Sequence, residues 1–265
     1  MSIHSLCKPR PSVHAADRRA TVLNLDTFLK GDVNGSDFFE ENYFTHGMLT
    51  LVDRAFRHLG GSGAGSSVFL LSQAMGGGKT HSMIALGLLA RDPALRNKVL
   101  TGDQNPAPTL GPCRVVGFNG RSTDAAGGIW GSIAEQLGKA DQFARYVSPL
   151  LSAPGPEAWK QLLGGESLVL FLDELPPYLE YAVAVPVGNA DLGVVTTAAL
   201  ANLFVAVADM PNVCLVLSDL AGSNFSVGQS RLEDAFNRAV QGITSESRRI
   251  AVPITPVNPN GDELY

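Results

Sequence analysis

Residues 68–80 run Val-Phe-Leu-Leu-Ser-Gln-Ala-Met-Gly-Gly-Gly-Lys-Thr, an apolar strand-like stretch that breaks into three glycines and then meets Lys-Thr at the head of a helical pattern. A strand that ends in a glycine turn and opens a helix gathers several backbone N–H groups into one concavity, where the helix dipole adds positive potential. Such a concavity suits a polyphosphate. Gly76, Gly77 and Gly78 let the chain turn and come close to oxygens without a Cβ in the way. Lys79 is then expected to reach the β- and γ-phosphates, with the Thr80 hydroxyl in the shell of a Mg²⁺ ion. Met75 and His81, at the two ends of this run, complete the expected phosphate-binding set. The usual spacing has a glycine five positions before the one preceding Lys, and here that position is Gln73. The bland alternative is a flexible turn followed by a surface lysine.

The same chemistry demands a carboxylate for the metal, and residues 168–174, Leu-Val-Leu-Phe-Leu-Asp-Glu, supply two at the end of an apolar run. In an open α/β sheet, ligands bind beyond the carboxyl ends of the strands. Asp173 is expected to hold Mg²⁺ through its water shell, and Glu174 to orient and deprotonate the attacking water. Two carboxylates beside a triphosphate are tolerable only when Mg²⁺ and Lys79 offset the charge, so each half of the site accounts for the other. Taken alone, the acidic pair reads equally as a solvated strand end.

The rest of the chain supports a scaffold for these two motifs. Its 265 residues, 45% hydrophobic and 17% charged, are enough for one sizeable core. The net charge of -5 argues against a chain-wide electrostatic hold on nucleic acid. Cys7, Cys113 and Cys214 are odd in number and far apart, which suggests neither a disulfide framework nor a zinc site and fits a reducing cytoplasm. No run reaches transmembrane length, and the basic first residues lack the apolar segment of a secretory signal. Residues 1–25 read as a loose arm ahead of a domain over 26–265.

Periodicity predicts a helix over 45–59, strands over 67–72, 113–118, 167–172, 212–217 and 249–254, and helices over 80–90, 128–137, 141–151, 157–163, 196–210 and 231–241. Residues 178–192 are poorly periodic and read as a flexible insertion. Strands alternating with helices point to a doubly wound α/β fold with five parallel strands and an N-terminal helical extension.

An inserted strand and a neighbouring glutamate resemble the additional-strand, catalytic-glutamate division of P-loop ATPases, which includes the AAA+ class. By that resemblance Asn119, at a strand tip between the two motifs in sequence, turns Glu174 away from water until a partner engages; equally, Asn119-Gly120 is a turn after a strand. Ser218 stands where those families place a sensor of the γ-phosphate, or is a plain strand-to-loop transition. Arg248 and Arg249 stand where AAA+ proteins carry an arginine supplied to a neighbouring subunit's nucleotide, or form a solvated basic pair.

Residues 38–45, 71–86 and 171–175 together resemble a family of large AAA+-like ATPases of uncharacterised function, found beside DNA methyltransferases and helicases in prokaryotic anti-phage defence islands. The resemblance implies ATP and Mg²⁺ as cofactors, a homo-oligomer, and methyltransferase or helicase partners. Members of that family are much longer, and residues 253–265 read like a passage into a further domain, so the chain is expected to be a nucleotide-binding portion without its helical lid. The leading expectation is an ATPase coupling nucleotide state to conformational change in a DNA-directed defence complex. Its rivals are a nucleotide-gated scaffold with little hydrolysis and a small-molecule kinase, for which no acceptor-binding signature is present.

Overall fold

The computed structural model describes residues 23–61, 66–72, 77–123, 125, 127–149, 151–218 and 251–256. Three helices come first: α1 (Leu25–Lys30), α2 (Gly35–Glu41) and α3 (His46–Leu59). Each begins on a side chain that satisfies first-turn N–H groups: Asn24 accepts from Thr27 N, Asn34 from Ser36 N and Asp37 N, and Thr45 from Met48 N. Strand β1 (Val68–Leu71) leads to the glycine turn, followed by α4 (Lys79–Arg91) and α5 (Pro93–Val99). The chain continues through β2 (Arg114–Asn119), α6 (Gly128–Gln136), α7 (Ala140–Phe143), α8 (Pro156–Leu163) and β3 (Leu168–Asp173). After α9 (Leu175–Val183) a small antiparallel pair, β4 (Pro186–Val187) and β5 (Ala190–Asp191), leads to α10 (Leu192–Ala208), β6 (Val213–Ser218) and β7 (Ala251–Ile254).

Five strands form one parallel sheet in the order β2-β3-β6-β1-β7. Alternation along each strand sorts side chains into two cores, one on each face. Leu168, Leu170 and Leu172 of β3 pack with Trp130, Trp159 and Tyr178 under the helices α6, α8, α9 and α10. Val169 and Phe171 point the other way, toward Phe28, Phe56 and Leu86 under α1 and α3–α5. Since both faces are covered, β3 and β6 are buried along their whole length, which is why they read as continuous apolar runs. Helix α4 lies against the sheet beneath the N-terminal helices and is buried from Ser82 to Ala90. Gly87 makes that contact close, since a Cβ there would stand 2.4 Å from the Phe28 ring.

Two sequence expectations are corrected. Residues 178–192 are not a flexible insertion: Tyr178 is fully buried on α9, edge-on to Phe118 with ring centroids 5.1 Å apart. Periodicity failed there because one segment holds the end of a helix, a two-residue hairpin and the start of another helix. The helix over 141–151 is instead the single turn α7 followed by a 3-10 turn over Ala144–Tyr146, where Val147 N and Ser148 N both donate to Ala144 O. The expected helix over 231–241 lies outside the described residues.

Strand β2 is at one edge of the sheet, and its outward backbone groups need partners. The Gln136 side chain provides them: Gly117 N donates to its Oε1 at 3.0 Å, and its Nε2 donates to Gly117 O at 2.7 Å. The carboxamide reproduces the pairing of a neighbouring strand residue. Gln136→Leu should therefore destabilise the protein by about 1–3 kcal/mol, seen as a lower urea midpoint at unchanged slope.

Candidate functional site

Strand parity brings the polar strand tips together. Asn119 follows Val115 and Gly117 on β2, Asp173 follows Val169 and Phe171 on β3, and Ser218 follows Cys214 and Val216 on β6. All three emerge on the face covered by α4. They are 7%, 3% and 3% exposed. The first turn of α4 meets them there. Gly78, its N-cap, sits at φ 80° and ψ 15°, a left-handed geometry that glycine adopts without strain. No side chain caps this helix start. Gly77 and Gly78 thus deliver Lys79, Thr80 and His81 at an N-terminus whose N–H groups face outward from the helix.

The two sequence motifs converge in one contact: Thr80 Oγ1 donates to Asp173 Oδ2 at 2.6 Å. Burial pushes the Asp173 carboxyl above its ordinary 3.8, while hydrogen bonds from Thr80, Ser218 and the Glu174 N–H act in the opposite direction. The hydroxyl and carboxylate oxygens form a hard, all-oxygen donor pair that fits Mg²⁺, an ion that takes one or two protein ligands and fills its shell with water and phosphate.

Glu174 is the one non-glycine residue with positive φ among the described residues, at φ 49° and ψ 43°. Such a backbone costs about 1–3 kcal/mol and persists where its surroundings hold it. Here the Glu174 N–H is shared between Asp173 Oδ1 and Ser218 Oγ, both at 3.0 Å. From the other side, Gly120 N donates to Asp173 O at 2.8 Å, and a Cβ on Gly120 would stand 2.0 Å from Glu174 O. Gly120 therefore lets the tips of β2 and β3 lie against each other. The Glu174 side chain reaches Arg121 in a two-pronged ion pair, Nη2 to Oε1 at 3.0 Å and Nε to Oε2. The Glu174 carboxylate raises the Arg121 pKa.

The partner of Glu174 is thus Arg121, and of the two roles the sequence leaves open for Asn119, a hold on Glu174 or a turn after a strand, the observed contacts are those of the second. Asn119 sits in register with Asp173, but its Nδ2 donates to Asp26 Oδ2 of α1 at 2.7 Å and its Oδ1 accepts from Arg121 N at 3.1 Å. Asn119 accordingly shapes the loop that carries Arg121. In space, β6 with Ser218 at its tip lies between β1 and β3, and the strand bearing Asn119 is at the edge. His81 turns its side chain to the N-terminal helices: Nε2 lies 2.8 Å from Asn42 Oδ1 and the ring centroid 5.1 Å from that of Phe38. Asn42 Nδ2 donates to Phe38 O, which fixes the amide so that Oδ1 accepts the His81 N–H. Burial lowers the His81 pKa and favours the neutral ring. Met75, Gly76, Arg248 and Arg249 lie outside the described residues.

Sequence reasoning missed Arg121, Gly120, Asp26 and Asn42. A charge directly after the Asn-Gly at a strand tip was the available signal for Arg121. The others depend on contacts between distant segments, which no local pattern carries.

Because the folded state holds a proton on Asp173 more tightly than the unfolded chain does, the contribution of this group is most favourable below its ordinary pKa and declines as pH rises through its raised folded value. At neutral pH the ionised carboxylate subtracts from stability. Asp173→Asn keeps the shape and removes the buried charge, with Thr80 left to accept from the new amide, so we expect the ligand-free protein to gain roughly 2–4 °C in Tm at pH 7, and no gain at pH 3. Thermal unfolding at the two pH values measures the difference.

Among the described residues, no helix is long and apolar enough to cross a membrane. No curated protein matches the chain. Residues 29–110 match a family model described as the DUF499 N-terminal domain, a span that includes the glycine turn and α4 and stops before β2.

Proposed function

We propose that this chain is a Mg²⁺-dependent ATP-binding and hydrolysing module of the P-loop type, similar to AAA+ ATPases. The observation that carries this reading is the 2.6 Å contact between Thr80 and Asp173, which joins a helix opened by glycines to an acidic strand tip 93 residues away. The placement of β6 between the glycine-turn strand and the acidic strand also supports it, since it sets the Ser218 tip beside both halves of the site, whereas the strand bearing Asn119, read from sequence as the inserted one, stands at the edge.

In this reading the α4 N–H groups and Lys79 bind the phosphates, and Thr80 and Asp173 hold the metal. When bound, Mg²⁺ supplies charge compensation between phosphate oxygens. Glu174 is placed one residue beyond the metal carboxylate by its left-handed backbone, and takes the proton of the attacking water. Ser218 Oγ fixes the Glu174 backbone, so its side chain acts by positioning the base. Coupling to DNA methyltransferase or helicase partners in an anti-phage complex, and homo-oligomers in which Arg248 or Arg249 serves a neighbouring nucleotide, belong to the same proposal and rest on the sequence resemblance; a cytoplasmic location belongs to it too and rests on the scattered, odd-numbered cysteines.

Binding and turnover separate the parts. Lys79→Ala should weaken ATP binding by about a hundredfold by calorimetry. Glu174→Gln should leave binding intact and lower phosphate release by about 10²–10⁴-fold. A Glu174→Gln protein that hydrolyses ATP at the original rate removes the base assignment.

The Arg121 pair favours a second reading, a nucleotide-gated assembly protein with little hydrolysis, because it holds both Glu174 carboxylate oxygens on a guanidinium and away from a water. The pair is solvent-exposed, with side chains 68% and 40% accessible, and such pairs hold by about 0.2–1 kcal/mol. Arg121→Ala should then raise phosphate release by at most about fivefold. A slow protein that stays equally slow after this change, yet alters its sedimentation with ATP, supports the scaffold.

A further inference from the structure

The sheet gives the phosphate cradle a direction. Asp173 and Ser218 stand on β3 and β6, on one side of the strand that leads into the glycine turn, so the terminal phosphate belongs on that side. The nucleoside end then leaves toward the opposite side, where β7 lies next to β1.

That side is walled by the segment joining α2 to α3. Asn42 is fastened to His81 in the first turn of α4. Three residues on, Thr45 caps α3 and its hydroxyl donates to Pro256 O just beyond β7. Gly47 lets the backbone lie against β7's continuation, since a Cβ there would stand 2.0 Å from Thr255 O. Between these anchors the chain is extended at Asn42, with φ -112° and ψ 139°. Asn42 and Phe44 are half-buried, and Phe44 stacks on Phe39 with ring centroids 5.1 Å apart and an interplanar angle of 3°. Alternation leaves Tyr43 pointing out, 75% exposed, the most exposed large hydrophobic side chain among the described residues.

We propose that Tyr43 is the platform on which the base of a purine nucleoside triphosphate stacks. The inference rests on the nucleotide reading above and adds to it the residue that recognises the nucleoside. A ring carried on a segment pinned at both ends loses little freedom when a base covers it, and an aromatic face accepts a purine without needing a particular hydrogen-bonding edge.

The test compares Mg-ATP with magnesium inorganic tripolyphosphate, which has the phosphates and no base, on the full chain and on Tyr43→Ala. Base stacking predicts that the substitution weakens ATP binding by about tenfold or more and leaves tripolyphosphate affinity unchanged. Tyr43→Phe should restore ATP binding, and Tyr43→Trp should show fluorescence quenched by ATP and not by tripolyphosphate. Unchanged ATP affinity in Tyr43→Ala, or a parallel loss for both ligands, overturns the base contact while leaving the cradle. If the unsubstituted chain binds neither ligand, the nucleotide reading falls and the base contact falls with it.

Discussion

The hydrogen bond from Thr80 to Asp173 depends on two independent features arriving at one point, and much of the surrounding architecture exists to bring them there. Asp173 is delivered by β3, whose apolar residues are buried on both faces. Thr80 is delivered by α4, whose start is set by the left-handed Gly78. Strand parity alone decides that Asp173, Asn119 and Ser218 share a face: a one-residue slip of β3 would send the carboxylate into the core with Trp130 and Trp159. The low exposure of Asp173 follows from this placement, and so does its raised pKa. Folding thus accepts an unfavourable carboxylate at the one place where a cation and phosphates would compensate it.

Local patterns made most of the sheet legible in the sequence. Each of the four strands from β1 to β3 and β6 lies within a residue of its expected bounds, because apolar runs ending in Gly, Asn, Asp or Ser leave few alternatives. Helix α3 was equally plain from its buried Met48, Leu51, Val52, Ala55 and Phe56. The short helices α1, α2 and α5 were not anticipated, although their caps were visible: Asn24, Asn34, and Asp92 before Pro93. A helix of six or seven residues shows too few turns for periodicity, so the cap is its main signature.

The candidate site divides in the same way. Lys79, Thr80, Asp173 and Glu174 stood out because their spacing is local to one turn or one strand end. What surrounds Glu174 did not, because it is assembled from three strands. Gly120 looked like half of a turn, yet its lack of a Cβ is what allows the Glu174 carbonyl to pass. Asn119 could be read as a contact of Glu174 or as a plain turn, and the side chain two residues later makes that contact. A polar residue at a strand tip announces a site without saying which neighbour it will choose, since loop geometry beyond the tip makes that choice.

The carboxamide of Gln136 has a consequence for how copies of this protein can associate. An open strand edge invites a second chain to extend the sheet, and the middle of β2 is where such an addition would begin. With Gly117 N and O already occupied by a side chain, an incoming strand finds no partner at the centre of its register. A strand added to that flank would leave its central residue unpaired, so extension of the sheet through β2 is disfavoured.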